Sequence, residues 1–129
     1  AVPGRVSGRA EGVIDATRLV RVVESLGLLD TSSALTDVER ASLRDWFAAL
    51  VEWMATSEIG RAEKAATNNH GVYYDMLISE FALYAGMDEV AQAVAERFKQ
   101  GRIAPQVAPD GSMTAITDEL VSSAVNSLQ

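Results

Sequence analysis

Thr36–Ala55 reads TDVERASLRDWFAALVEWMA, and this run decides the fold class. Its opening, Thr36-Asp37-Val38-Glu39, has the spacing of a capping box. In that motif a threonine hydroxyl and a glutamate carboxylate each take a backbone N–H that the first helical turn leaves unpaired. Leu43, Trp46, Phe47, Leu50, Val51, Trp53 and Met54 then recur at helical spacing and build a broad apolar stripe. The pattern predicts a helix from Asp37 to Ala55 with both tryptophans in the core.

Working outward, the same period continues on both sides. Upstream, Ile14, Ala16, Leu19, Val20, Val23 and Leu26 follow one helical face that stops at Gly27-Leu28, after a loose lead-in over residues 1–12. Downstream, Ser57–Asn69 is a polar connection containing Gly60, expected to be irregular at least in part. A further helix is predicted over Val72–Tyr84, with Gly86 as a left-handed cap. Another runs from Asp88 to Gln100, with Val90, Val94 and Phe98 facing inward and Ala91 and Ala95 permitting close approach. Pro105 and Pro109-Asp110-Gly111 mark a turn-rich loop, in which Ile103–Val107 has room for a brief extended pairing. Residues 114–129 read as a divergent terminal helix carrying Leu120, Val121, Ala124, Val125 and Leu128. The expected fold is all-α, built of antiparallel helical hairpins, in a single domain spanning residues 1–129.

Composition narrows the chemistry. The 129 residues are 48% hydrophobic and 22% charged, within the range of one domain. A formal charge of −7 argues against nucleic acid as a partner, because phosphate recognition needs a basic face. No apolar run approaches the length of a membrane span. Without cysteine there are no disulfides and no thiolate metal ligands, and a lone histidine among scattered carboxylates lacks metal-ligand spacing. Neither a metal nor another cofactor is expected.

Reactive groups concentrate in Thr67–Asp75, TNNHGVYYD, which holds the only histidine of the chain, His70. Imidazole changes charge near neutral pH, and Asn68, Asn69, Tyr73 and Tyr74 supply donors and acceptors within a few residues of it. Each has a structural reading too. The asparagines suit a helix N-cap, the histidine ring nitrogens suit backbone carbonyls near a helix start, and the tyrosines suit half-buried positions. Arg61 and Lys64 are solvated loop charges or a local attraction for an anion in an acidic chain.

The run W-x6-WMATSEIGRAEKAATNNHGVYYD, followed by FALYAGMDEVA and PDGSM, resembles the alginate-lyase domain of polysaccharide lyases over roughly Leu19–Met113. That resemblance implies a partial α/α-toroid and β-elimination of a uronate-containing polysaccharide. It makes Asn69 the amide that binds the uronate carboxylate and His70 the base or charge-neutralising partner. Tyr74, or Tyr73 beside it, completes the proton transfers, with Asn68, Tyr73, Arg61 and Lys64 binding substrate. An exposed tryptophan would stack on a sugar ring. After Ser112 the chain carries neither the arginine nor the tyrosine that the resemblance places there. The alternative reading is a non-catalytic helical remnant that binds glycan or protein. The resemblance also implies an anionic polysaccharide partner and a secreted or periplasmic location. Hairpins lacking the toroid's remaining neighbours would expose apolar surface, so a homo-oligomer is expected.

Overall fold

A computed structural model describes residues 8–112. The predicted terminal helix and the first seven residues of the lead-in lie outside them. A 3-10 turn, Ala10–Ala16, runs into helix α1, Thr17–Leu29. Then come α2, Asp37–Thr56, α3, Glu58–Ala65, α4, Asn69–Ala85, and α5, Asp88–Phe98. A π-helical turn, Lys99–Ile103, and a short helical turn, Ala104–Gln106, follow directly. The all-α expectation holds: no strand forms among the described residues. No helix there is long and apolar enough to cross a membrane.

The capping box forms as read. Glu39 N–H donates to Thr36 Oγ1 at 3.2 Å and Thr36 N–H donates to the Glu39 carboxylate at 2.8 Å. These bonds from Thr36 hold the Glu39 carboxyl below its usual range. One turn on, Arg40 reaches back to the carbonyls of Leu29 and Leu35, both at 2.9 Å, and to that of Ser32, which ties down the α1–α2 loop.

Helix α4 is the centre of the packing, with α1, α2 and α5 laid against it. Apolar residues cover most of its circumference, as a buried helix requires, and Tyr74, Leu77, Ile78, Phe81 and Ala82 are all buried. Phe47, Val51 and Met54 of α2 meet them, and the Phe47 ring lies 5.2 Å from those of both Phe81 and Tyr84. Fully burying an apolar side chain of this size contributes about 1.5–3 kcal/mol, so this seam is a large source of stability. At the far end of α4, Gly86 adopts φ 76°. Met87 N–H closes on the Ala82 carbonyl at 2.8 Å and Gly86 N–H on that of Leu83 at 3.1 Å, a Schellman motif that turns the chain into α5.

The structure corrects several sequence readings. Trp46 and Trp53 are 53% and 45% exposed rather than buried. The seam uses Phe47, Val51 and Met54, and the tryptophans sit one residue, and therefore about 100°, away from it. The polar connection contains a helix, because Ser57 ends α2 and caps α3 together, accepting from Gly60 N–H at 3.0 Å. Gly60 is no helix breaker there. A Cβ at that position would stand 1.9 Å from the Met54 carbonyl oxygen, so only glycine lets α3 fold back this closely. Helix α4 starts at Asn69, three residues before the predicted Val72. Gly101 does not terminate α5, and Ile103–Val107 is mostly helical instead of extended. The Pro109–Ser112 turn does form: Ser112 donates from both its N–H and its hydroxyl to Asp110, lowering that carboxyl's pKa.

Candidate functional site

Helix α3 turns Glu63 toward the start of α4, where His70 Nδ1 lies 2.7 Å from Glu63 Oε1. The carboxylate is almost sealed, its side chain 3% exposed, while the imidazole is 26% exposed. An ionised carboxylate only accepts hydrogen bonds, so Nδ1 donates to it, and in the neutral imidazole Nε2 then carries the lone pair. A carboxylate on Nδ1 therefore selects the tautomer and orientation in which Nε2 can take a proton from outside. The partner is a carboxylate and not the backbone carbonyl that the sequence suggests. Asn68 does cap α4, its side chain accepting His70 N–H at 3.0 Å.

Around this pair the other candidate residues separate. Asn69 is the first residue of α4 and is exposed. Tyr73, 38% exposed, follows Asn69 by four positions and His70 by three, which places all three on one edge of the helix start. Tyr74 is instead in the core, its hydroxyl donating to the Met54 carbonyl at 3.0 Å. That carbonyl belongs to the last turn of α2, where no intrahelical partner remains. The sequence assigned Tyr74 to proton transfer; its burial makes it a structural group, and Tyr73 is the tyrosine that reaches solvent.

Burial pushes the Tyr74 phenol above its ordinary value, with Asp75 adding to the rise and Arg97 opposing it. A raised folded-state pKa means the neutral phenol's contribution is complete below the ordinary tyrosine range and is lost as pH rises through the raised value. Tyr74→Phe is expected to cost about 1–2 kcal/mol in urea unfolding at neutral pH by unpairing the Met54 carbonyl. It should also flatten the loss of stability expected as pH rises past the ordinary tyrosine range.

Behind the site lies a second carboxylate that the sequence reading left without a role. Asp75 is 1% exposed and receives Arg97 and, at 2.8 Å, Arg102 Nε. Arg102 also donates to the Ala66 carbonyl at 2.6 Å and the Lys64 carbonyl at 2.7 Å, and Gln106 Nε2 donates to that of Thr67 at 2.6 Å. The π-helical turn around Gly101 and the short turn after it bring these two side chains back to the α3–α4 connection. Gly71 makes room for them: a Cβ there would lie 2.1 Å from the Ala66 oxygen and 2.4 Å from Arg102 Nη1. The glycine of Asn-Asn-His-Gly is thus a packing requirement, and the clamp fixes the segment from which Asn68, Asn69 and His70 emerge.

Arg61 and Lys64 do not join the histidine. They line a cavity of about 440 Å³ with Arg97 and Arg102, and neither Asn69 nor His70 is part of its wall. Among the described residues no cluster of histidines and carboxylates suits a metal ion.

The family model for alginate lyase matches residues 1–119. This chain belongs to the alginate lyase family. It is also similar to an alginate lyase from Bacteroides ovatus known from a crystal structure, at 34% identity and a TM-score of 0.81. That match covers 88% of this chain and 30% of the other, so the present chain spans under a third of its length. No curated protein sequence matches. The helical hairpins of this alginate lyase family member are those of an α/α-toroid. Within that fold, Glu63, Asp75, Arg97 and Arg102 are the supporting residues that sequence reasoning missed. A serine cap at Ser57 was the available signal for Glu63, since a helix from Glu58 would have carried it toward His70.

Proposed function

We propose that this chain is a polysaccharide lyase domain that cuts an alginate-type uronan by β-elimination. The observation that carries the reading is the Glu63–His70 pair, which orients a partly exposed imidazole at the start of the helix that also carries Asn69 and Tyr73, in a chain of this family. In the reaction the proton at C5 of the uronate leaves, the electron pair forms the C4–C5 double bond, and the C4 oxygen departs with a proton. While the uronate carboxylate is ionised that C5 proton is weakly acidic, so the site must offset the charge. Asn69 donates its amide to the carboxylate, and the N-terminus of α4, seventeen residues long, adds its positive end. His70 Nε2 takes the C5 proton and Tyr73 protonates the leaving oxygen. Asn68 shapes the helix start that presents them.

Secretion or a periplasmic location suits such a polymer-degrading role. Pairing of chains suits the exposed apolar side chains Leu28, Trp46 and Leu83. The test is to incubate the protein with alginate and follow the ultraviolet absorbance of unsaturated uronate ends. Absorbance that rises with time and enzyme concentration is expected; a flat trace with polymannuronate, polyguluronate and mixed alginate alike overturns the reading.

A further inference from the structure

The cavity between α3, α5 and the π-helical turn has no part in the chemistry above. Small residues at its wall, Ala55, Ala65 and Gly101, leave it about 440 Å³, and its polar lining is entirely cationic: Arg61, Lys64, Arg97 and Arg102. These four cations gather in a chain whose net charge is −7. Two of the four converge on Asp75, so a single buried carboxylate faces two guanidiniums and one positive charge is in excess. Arg61 and Lys64 are in no ion pair among the described residues. Arg102 is nine-tenths buried and already held by Asp75 and two backbone carbonyls, so Arg61 and Lys64 are the cations free to take an external counter-ion.

We propose that this cavity is a second carboxylate subsite, which grips an acidic sugar of the polymer away from the reacting pair. The inference rests on the polysaccharide reading above for the identity of its ligand. Arg61, Lys64 and Ala65 share one stripe of α3, at intervals of three and four, while Glu63 turns to α4 on another side. The subsite and the reacting pair are therefore carried on opposite flanks of one short helix. An adjoining cavity of about 370 Å³ shares Lys64 and Arg97 and continues along Ile78, Val90 and Val94. This offers an apolar wall for the C–H face of a pyranose whose carboxylate sits among the cations. Glu89 also lines that second cavity, which keeps a carboxylate at the cationic end.

The test is calorimetric titration with short alginate oligosaccharides, with neutral cello-oligosaccharides of the same length and with sodium sulfate. It uses the wild-type chain, the Arg61→Ala/Lys64→Ala variant, and both again in a His70→Gln background so that turnover consumes no ligand. Both substituted side chains are exposed, so folding should survive, and circular dichroism checks it. The alginate oligosaccharide is expected to bind about tenfold or more weakly to the double variant in either background, and less tightly with added salt. Equal affinity of variant and wild type, equal affinity for the neutral sugar, or sulfate binding as tightly as the oligosaccharide overturns the inference. Binding that depends on Arg61 and Lys64 without any lyase activity would remove the catalytic reading and leave the subsite standing. Lyase activity with binding indifferent to the two residues would do the reverse.

Discussion

Arg102→Ala is expected to lower the unfolding free energy by about 3–5 kcal/mol, the usual cost of removing one member of a buried ion pair. Three acceptors lose their donor at once: the Asp75 carboxylate and the carbonyls of Ala66 and Lys64. Arg97 still reaches Asp75, but from a partly exposed position. Since whole domains are stable by only about 5–15 kcal/mol, the urea midpoint should move far toward lower denaturant. Arg102→Lys separates charge from geometry. An ammonium retains the positive charge, yet it lacks the planar fork that serves a carboxylate and two carbonyls together, so most of the loss should remain. A midpoint shift worth less than about 1 kcal/mol for Arg102→Ala, in the range of a surface pair, would show that solvent already screens the network.

The sequence exposed those parts of the fold that depend on period and on local caps. The Phe47–Val51–Met54 seam, the Thr36–Glu39 box and the Gly86 cap all act within one or two turns, so their residues announce them. What stayed hidden depends on distant partners. Gly60 looks like a break until the Met54 carbonyl is seen packed against it, and Gly101 looks like a terminus until Arg102 is seen gripping α3 from 38 residues away. Tyr73 and Tyr74 illustrate the same limit at the site. Neighbours on a helix point about 100° apart, and only the position of the core decides which one reaches solvent. Asn69 and His70 stand out as candidates because their chemistry is concentrated in four consecutive residues. Glu63 does not, because it is connected to His70 through a helix that the polar composition of Ser57–Asn69 disguised.

His70→Gln should abolish uronan cleavage while leaving the protein folded, a loss of about 10²–10⁴-fold in kcat for removing a general base. Glutamine is the informative replacement. Its amide can still donate to Glu63, so the buried carboxylate is not stranded, but it has no lone pair that takes a proton near neutral pH. The Asn69 contact to the substrate carboxylate would survive, so KM should change far less than kcat. Glu63→Gln probes the support behind the base. The amide can present either an acceptor or a donor to Nδ1, which no longer enforces the tautomer with a free Nε2 and removes the negative charge beside the developing imidazolium. Cleavage should fall by a smaller but still large factor, and the pH–rate profile should be displaced. A merely structural role for Glu63 would lower thermal stability without moving that profile. Full activity in His70→Gln would mean that the proton goes elsewhere, and Tyr73, on the same edge of α4, would be the next group to remove.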